Sequence, residues 1–342
     1  MKTKTRSRLA ALVCLLVLAA ALFYATRVLT PKRHDYGSTW GQFLKEEKNS
    51  TDVMFFGSSL VYCDVAPAAI WTESGLRSYV MAGAEQTVPM TYYYLREALK
   101  TQSPKAVFVE ATGMIYDRYT NYTQVNIGYM PWGGNRLKAS LTEAEDGLLP
   151  GFFFPLWFYH SRWNELTADD WRVGLTGYRA DDLAGYTFLH EYRSMSGPKT
   201  RRFTPDADNW ARNLEFLKKI ASLCADRGIQ VVFYLAPSMG RLPQETVDSL
   251  KDAVAGMDGA RFLDCNGIYD SFGIDASRDY FDTLHFNVSG AEKFSRVMAD
   301  WITENLGLSP SPDADAALWD KRAAYLRAQA AQPLTPRKET AE

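Results

Sequence analysis

The chain has 342 residues, of which 46% are apolar, 23% charged and 13% aromatic, and this composition excludes a disordered or collagen-like protein. Residues 1–34 hold seven Lys or Arg and no acid, so the remainder carries 31 basic and 40 acidic residues, a net charge of −9. Because such a surface repels phosphate backbones, we predict no nucleic-acid partner.

The chain begins with a segment that is typical of a membrane anchor. Leu9–Thr26 is uncharged over 18 residues, close to the ~20 that span a bilayer. The basic residues before it favour a cytoplasmic N-terminus: Lys2, Lys4, Arg6 and Arg8. We therefore predict a cytoplasmic start and anchor over 1–30, a bilayer contact through 9–29, and a single-pass protein whose catalytic domain is extracytoplasmic. A cleaved signal peptide is the alternative.

The next elements alternate between strands and helices. Short apolar runs predict five strands, at 53–56, 78–82, 106–110, 229–235 and 260–264. Amphipathic periodicity and turn residues predict helices from 67 onward and over 89–100, 209–226, 244–255 and 289–305. This alternation predicts an α/β fold, a three-layer sandwich around a mostly parallel five-stranded sheet.

The predicted domain covers 31–308 and is interrupted after the third strand. Residues 113–205 are rich in aromatic residues and form an insertion, which is either a hydrophobic cap over the sheet edge or a lid that binds substrate. In the remaining segment, 309–342, a peripheral helix over 316–331 precedes an end that we predict to be disordered. Its expected apolar contacts are Leu318, Trp319, Tyr325 and Leu326.

The cysteines and histidines do not have the spacing of a metal site. Cys63, Cys224 and Cys265 lie outside the anchor, so at most one disulfide forms within the chain; a Cys224–Cys265 bridge stays open beside buried free thiols. The four histidines are scattered along the chain. We predict no metal and no organic cofactor.

Two short blocks carry residues suited to nucleophilic catalysis. Gly57-Ser58-Ser59-Leu60 follows the first strand, and the carboxyl ends of parallel strands are where ligands bind. Asp282 and His285 stand three residues apart before the last helix. A serine nucleophile needs a base in hydrogen-bond reach, and the base needs an acid that holds its tautomer, so these blocks predict a site of nucleophilic catalysis by serine.

The blocks resemble those of the SGNH, or GDSL, family of hydrolases and acyltransferases. The resemblance rests on GSSL at 57–60 and on D-x-x-H at 282–285 followed by Asn287 and Gly290, and it covers roughly 52–305. It implies Ser59 as nucleophile, His285 as general base and acid, and Asp282 as the orienting carboxylate. Ser58 stands where the family usually has Asp.

The resemblance also implies an oxyanion hole made of backbone and side-chain donors. Ser59 and Gly83 fit two of its positions, but the Asn expected after the third strand is absent. The replacements are Thr112, a backbone N–H, or a residue of the insertion, for which the segment His160-Ser161-Arg162-Trp163 is the favoured source. Loss of one such donor reduces the rate ~10²–10³-fold, so we expect slow hydrolysis by water.

The overall plan resembles exported proteins that work beside a membrane-bound O-acyltransferase. The resemblance implies a membrane-bound O-acyltransferase as partner and O-acetylation of a cell-surface or secreted polysaccharide as function. The alternatives are an esterase that removes acyl groups from surface glycans and a catalytically silent scaffold of an acylation complex. Candidate contacts to the carbohydrate substrate come from the insertion: His160, Arg162, Trp157 and Trp163.

Overall fold

In the computed structural model, the described residues are 2–32, 37, 39–117, 122–201, 206–312 and 315–337. They separate into two compact units. One combines residues 1–33 with 146–179, and the other combines 34–145 with 180–342. The sequence-predicted insertion over 113–205 is therefore divided, because only its middle part joins the N-terminal helix.

The larger unit is built on a five-stranded parallel sheet. Its strands are β1 Val53–Gly57, β2 Ser78–Ala82, β3 Ala106–Glu110, β4 Gln230–Leu235 and β5 Ala260–Asp264. They lie in the order β2-β1-β3-β4-β5, and every neighbouring pair is parallel. All residues of β1, β2 and β3 are buried. The middle residues of these three strands are apolar for this reason, as a sheet covered on both faces requires, and polar residues such as Ser78 and Glu110 stand at the strand ends.

The α-helices are, in chain order, α1 Lys2–Leu29, α2 Trp40–Phe43, α3 Ser59–Tyr62, α4 Pro67–Ser74, α5 Val88–Ala98, α6 Tyr122–Ile127, α7 Gly134–Glu143, α8 Leu149–Phe153, α9 Leu156–Tyr159, α10 Ala168–Thr176, α11 Ala207–Ala225, α12 Gln244–Ala255, α13 Val288–Leu306 and α14 Ala316–Ala330. Short 3₁₀ helices cover Ala111–Ile115, His160–Asn164 and Tyr269–Phe272. Two-residue parallel pairings join Glu191–Tyr192 to Thr335–Pro336 and Lys199–Thr200 to Gly240–Arg241.

Helices cover both faces of the sheet. Helices α4, α13 and α14 pack together and share a buried cluster with Phe55 of β1 and Phe108 of β3. Helices α5 and α11 pack against each other on strands β1 and β4. The predicted α/β fold with a five-stranded parallel sheet is thus confirmed, as is a long apolar N-terminal helix.

The C-terminal helix, α14, is held within the larger unit by a buried ion pair as well as by apolar contacts. Trp319 and Leu326 of α14 are buried, whereas Tyr325 is 40% exposed. The Arg322 guanidinium lies 2.6 Å from the Glu46 carboxylate, with 1% and 4% of the two side chains exposed. The sequence analysis did not predict this pair. The end that we predict to be disordered follows residue 331. Within it, Thr335–Pro336 pair with Glu191–Tyr192 and are therefore ordered, whereas 338–342 lie outside the described residues.

The smaller unit is organised around the C-terminal end of α1. Lys4–Leu29 is long and apolar enough to cross a membrane, judged by its length and composition. Helices α9 and α10 pack against α1. At Gly174 of α10, an added Cβ would lie 2.7 Å from Cγ2 of Val28, so only glycine allows this approach.

Candidate active site

The first block lies where the chain leaves β1, at the reversal point of the strand order. Strands β2 and β3 flank β1 on opposite sides, and ligands of open parallel sheets bind at the carboxyl ends of strands at such a point. Gly57 has φ +149°, and a Cβ there would lie 2.9 Å from Cβ of Glu110. Glycine therefore permits the turn that places Ser59 at the first position of α3.

Ser59, His285 and Asp282 form a continuous hydrogen-bonded relay. The Ser59 hydroxyl oxygen lies 2.7 Å from Nε2 of His285. Nδ1 of His285 lies 3.0 and 2.9 Å from the two carboxylate oxygens of Asp282. Side chains 226 positions apart in the chain are thus brought into the order serine, histidine and aspartate, which is the order that a nucleophile, its base and an orienting acid require.

The electrostatics of the relay favour a protonated histidine. Burial acts to lower the pKa of His285, but its hydrogen bond with Asp282 and the charge on that carboxylate outweigh burial, so the pKa of His285 is raised above its ordinary value. Burial acts to raise the pKa of Asp282, but the hydrogen bond and the charge of His285, together with the backbone hydrogen bonds from Leu284 and His285, outweigh burial, and the pKa of Asp282 is lowered. The carboxylate thus stabilises the imidazolium that forms during proton transfer.

The segment 280–287, which we call the histidine loop, is held by its own backbone. The Asp282 carboxylate accepts hydrogen bonds from the backbone N–H groups of Leu284 and His285, at 2.8 and 2.9 Å. Asn287 caps α13 by accepting from the N–H of Ser289 at 3.1 Å. One aspartate therefore fixes both the loop and the imidazole ring.

A second acid, Asp64, ties the histidine loop to the segment that follows the serine. Asp64 is fully buried, and its Oδ1 accepts a hydrogen bond of 2.8 Å from the backbone N–H of Phe286. Burial raises the pKa of Asp64 well above its ordinary value. The sequence analysis missed this residue, because nothing in the local pattern distinguishes Asp64 from the other acids of the chain.

The structure gives other acceptors to two of the predicted oxyanion donors. The Gly83 N–H donates to the carbonyl of Gly57 at 3.2 Å. The Thr112 hydroxyl donates to the Glu110 carboxylate at 2.6 Å, and the Thr112 N–H donates to the same group at 3.1 Å. The third predicted donor is the N–H of Ser59, in the first turn of α3. Among the described residues this N–H has no hydrogen-bond acceptor, as is usual for the first turn of a helix.

Glu110 is itself a buried titratable group beside the site. It ends β3 and is 2% exposed. Burial raises the pKa of Glu110 to about 7, although the hydrogen bonds from Thr112 act in the opposite direction. The family resemblance leads one to expect an amide donor after the third strand. In the structure this position lies next to the carboxyl group of Glu110, which accepts the hydrogen bonds of the nearby donors of Thr112.

A cavity of about 140 Å³ opens beside the relay. Leu60 and Leu284, the neighbours of Ser59 and His285, line it. Most of its other lining is polar, contributed by Thr112, Arg201, Ser238, Arg241, Gln244, Asp264 and Asn266. Such a lining suits a polar, hydrogen-bonding ligand.

The other predicted substrate contacts lie in the smaller unit. Arg162 donates to the carbonyl of Leu29 and forms an ion pair with Asp170 at 3.4 Å. Nδ1 of His160 lies 3.1 Å from the carbonyl of Leu156. Trp157 and Trp163 are 59% and 72% exposed. A sugar-binding role for these four residues stays a prediction.

The cysteines in the structure are free thiols, and Cys224 and Cys265 are buried without a bridge. Across the described ranges, no group of three or more His, Cys, Asp or Glu side chains is placed to hold a metal ion.

No protein-family model and no curated protein matches this sequence. The functional argument therefore rests on the geometry of the site.

Proposed function

We propose that the chain is a serine-dependent acyl-transfer enzyme of the SGNH type, which transfers an acetyl or similar group to a cell-surface or secreted polysaccharide. The observation that carries the proposal is the relay: a serine in a strand-end turn, 2.7 Å from a histidine that a carboxylate holds through its other ring nitrogen. This arrangement is how a weak hydroxyl becomes a nucleophile.

In the proposed first half-reaction, the Ser59 oxygen attacks the acyl carbon of a donor while its proton passes to Nε2 of His285. His285 then gives that proton to the leaving group, which leaves Ser59 as an acyl ester. In the second half-reaction, a sugar hydroxyl attacks the ester and loses its proton to His285. The histidine returns the proton to the Ser59 oxygen, and Asp282 stays ionised throughout.

The engaged donors at Gly83 and Thr112 support transfer to a sugar over hydrolysis by water. A site short of oxyanion donors stabilises the tetrahedral intermediate poorly, and each missing donor reduces the rate ~10²–10³-fold. A bound and oriented hydroxyl offsets part of this loss through its high effective concentration. The polar cavity beside Ser59 is a suitable place for such an acceptor.

The same donors also favour a second candidate from another class, the silent scaffold of an acylation complex. In that case the relay would be a remnant, and no acyl-enzyme would form. An esterase that deacylates surface glycans uses the same relay and differs in the fate of the ester. We further propose that α1 anchors the enzyme with its catalytic unit outside the cytoplasm, beside a membrane-bound O-acyltransferase.

The test is covalent labelling of the full-length protein in detergent with a fluorophosphonate. We expect one label, on Ser59, and none in Ser59→Ala, because the probe reacts only with an activated serine. Ser58→Ala is the matched control, since Ser58 is adjacent but buried, and it should retain labelling. Labelling of the Ser59→Ala protein at another serine would contradict the assignment, and a folded wild-type protein that never labels would favour the scaffold.

A further inference from the structure

Cationic side chains surround the entrance to the site, although the chain outside its first 34 residues is net acidic. Arg201 and Arg241 line the cavity beside the relay. An adjoining cavity of about 320 Å³ shares Arg201 and adds Arg193 and Lys199. We call these four residues the cationic cluster.

None of the four forms a salt bridge in the part of the chain that the structure describes. Burial raises the pKa of Glu85 and of Glu110, and the charge of Arg201 acts in the opposite direction on both. Nε of Arg241 is buried without a hydrogen-bond partner. The first cavity has one acidic lining residue among those described, Asp264, and its Oδ1 accepts from the N–H of Asn266 at 2.9 Å. Arg201 and Arg241 are half-buried, Arg193 and Lys199 are exposed, and the Arg241 guanidinium lies 5.6 Å from the centre of the Tyr269 ring. Among the described residues, the two cavities are lined by these four cations and by one acid, Asp264, so the cluster is suited to an anion.

Backbone hydrogen bonds hold the cationic cluster next to the histidine loop. The Arg201 N–H donates to the carbonyl of Arg241 at 2.8 Å, beside the short pairing of Lys199–Thr200 with Gly240–Arg241. The Gly240 N–H donates to the carbonyl of Thr283 at 3.0 Å. The cations are thus held at a fixed place beside the base of the relay.

We propose that the cationic cluster binds carboxylate or phosphate groups of an anionic glycan acceptor. The planar guanidinium groups of Arg201 and Arg241 fit both anions, each through two parallel hydrogen bonds. An acidic group held there places a neighbouring hydroxyl toward the Ser59 ester. The assignment of this ligand as an acceptor rests on the proposed acyl-transfer function, whereas anion binding itself does not.

Binding is measured on the full-length Ser59→Ala protein, so that it does not depend on catalysis. The probes are an oligogalacturonate, a glycerol-phosphate oligomer and an uncharged cello-oligosaccharide, by calorimetry at low and high salt. We expect at least one anionic probe to bind more tightly than the neutral one, with affinity that falls as salt rises. Arg201→Gln should weaken that binding about 10–100-fold, the range of one charged hydrogen-bonded contact. Arg227→Gln, at an exposed arginine in the turn after α11, is the control and should leave it unchanged.

The two anionic probes distinguish carboxylate from phosphate recognition. Equal binding of neutral and anionic probes, or an Arg201→Gln protein that binds the anions as tightly as its parent, would overturn the inference. Anion binding by a protein whose Ser59 never labels would uphold the anion site and refute the acyl-transfer function. Labelling at Ser59 without any anion preference would do the reverse.

A different observation carries a second inference, about residues 146–179, which we call the interfacial segment. Of the exposed large apolar side chains, ten lie on α1 and six on this segment: Phe153, Phe154, Trp157, Trp163, Trp171 and Leu175. The six side chains of the interfacial segment are 48–72% exposed, and three of them are tryptophans. Trp171 and Leu175 are four residues apart on α10 and therefore share a face of that helix.

The interfacial segment is attached to the C-terminal end of α1 itself. Val28 is 4% exposed and packs on Gly174 of α10. Arg162 donates to the carbonyl of Leu29, and Lys32 donates to the carbonyls of Arg27 and Thr30. These carbonyls belong to the last turn of α1 and to the residue that follows it. The exposed tryptophans thus belong to a unit fixed where the long apolar helix ends.

We infer that the interfacial segment lies in the headgroup region of the membrane leaflet at which α1 ends, with its exposed aromatic side chains against lipid. Tryptophan is enriched at this level because its ring is apolar and its N–H is polar, and basic residues are favoured beside it. Short helices with exposed aromatic faces bind in the same region. The inference goes beyond acyl transfer and rests only on α1 being a membrane span.

The full-length protein is reconstituted in phosphatidylcholine vesicles containing brominated lipids, which quench tryptophans in contact with acyl chains. We expect quenching to be strongest with bromine near the headgroup. The combined variant Trp157→Phe, Trp163→Phe and Trp171→Phe should lose about half of the lipid-dependent quenching or more. Trp132→Phe is the matched control, because Trp132 is 61% exposed and lies outside this unit, and it should leave the quenching unchanged.

Protein that fails to float with the vesicles would refute the membrane span itself. Protein that floats while these tryptophans remain accessible to aqueous iodide would refute the lipid contact and leave α1 as the anchor. In that outcome the aromatic face would be open to a protein or sugar ligand instead, as the sequence analysis predicts for Trp157 and Trp163.

Discussion

Replacing Asp282 by Asn tests the relay most directly, because it keeps the shape of the side chain and removes one function. The amide oxygen still accepts from the backbone of the histidine loop, where Asp282 now accepts at 2.8 and 2.9 Å. That oxygen already accepts two N–H bonds, and the amide NH2 replaces the carboxylate oxygen that lies 2.9 Å from Nδ1 of His285, so it donates to Nδ1 instead of accepting its proton. The ring is then left in the tautomer with its proton on Nε2, facing Ser59, where it cannot act as a base.

The expected loss is about 10⁴-fold in the rate of Ser59 labelling, the known effect of the same replacement in a Ser-His-Asp triad. At about 1.4 kcal/mol per tenfold, this is roughly 5 kcal/mol of barrier. The pKa of His285 should fall as well, because the bond with Asp282 and its charge are what raise it. Since only neutral histidine acts as the base, wild-type labelling should rise with pH through the raised pKa, and the variant should show this rise at lower pH.

The assay is the fluorophosphonate labelling rate from about pH 5 to about pH 9, the range over which histidine titrates. Asp258→Asn is the control, because Asp258 is an exposed aspartate in the turn that leads into the N-terminal end of β5, whereas the relay lies at the carboxyl ends of the parallel strands. Its labelling rate and pH profile should match wild type. A folded Asp282→Asn protein that labels within tenfold of wild type would refute the proposed role of Asp282. An unchanged pH profile would refute the argument about the histidine.

Three further predictions concern residues outside the relay. Asp64→Ala should lower the free energy of unfolding, measured by urea denaturation, by about 1–3 kcal/mol, because it leaves a buried N–H of the histidine loop unpaired. Asp64→Asn should keep most of that stability, and equal losses in the two variants would contradict this reasoning. Thr112→Val should slow Ser59 labelling less than tenfold, because the Thr112 donors bind Glu110; a loss of ~10² would instead identify Thr112 as an oxyanion donor. Glu46→Ala should destabilise by about 3–5 kcal/mol, because it leaves a buried arginine of α14 unpaired, and the exposed neighbour Glu47→Ala serves as the control.

The elements of the fold could be predicted from the sequence because they are local. A run such as that of Val53–Gly57 is buried on both faces, so its composition alone indicates a strand of a covered parallel sheet. The serine and histidine blocks were found for a similar reason: a turn after a strand and an acid three residues from a histidine are both short-range patterns.

The contacts that position the site are long-range and could not be predicted in the same way. Asp64 binds the backbone of Phe286 across 222 positions, and any buried acid has the same local sequence. The cationic cluster brings Arg193 and Lys199 beside Arg241, from segments separated by α11 and β4. The sequence also does not determine which oxyanion donors are available. The Thr112 hydroxyl is engaged because the rotamer and burial of Glu110 place a carboxylate within its hydrogen-bond reach.

The sequence by itself determined the strands, the main helices, the apolar N-terminal helix and the identity of Ser59, His285 and Asp282 as candidates, because hydrophobic period, turn residues and short motifs are written in neighbouring positions. Only the tertiary structure decided that Ser59 and His285 lie 2.7 Å apart and that the segment 146–179 packs with α1. Such contacts join distant parts of the chain and depend on the packing of the whole unit, so no local pattern encodes them.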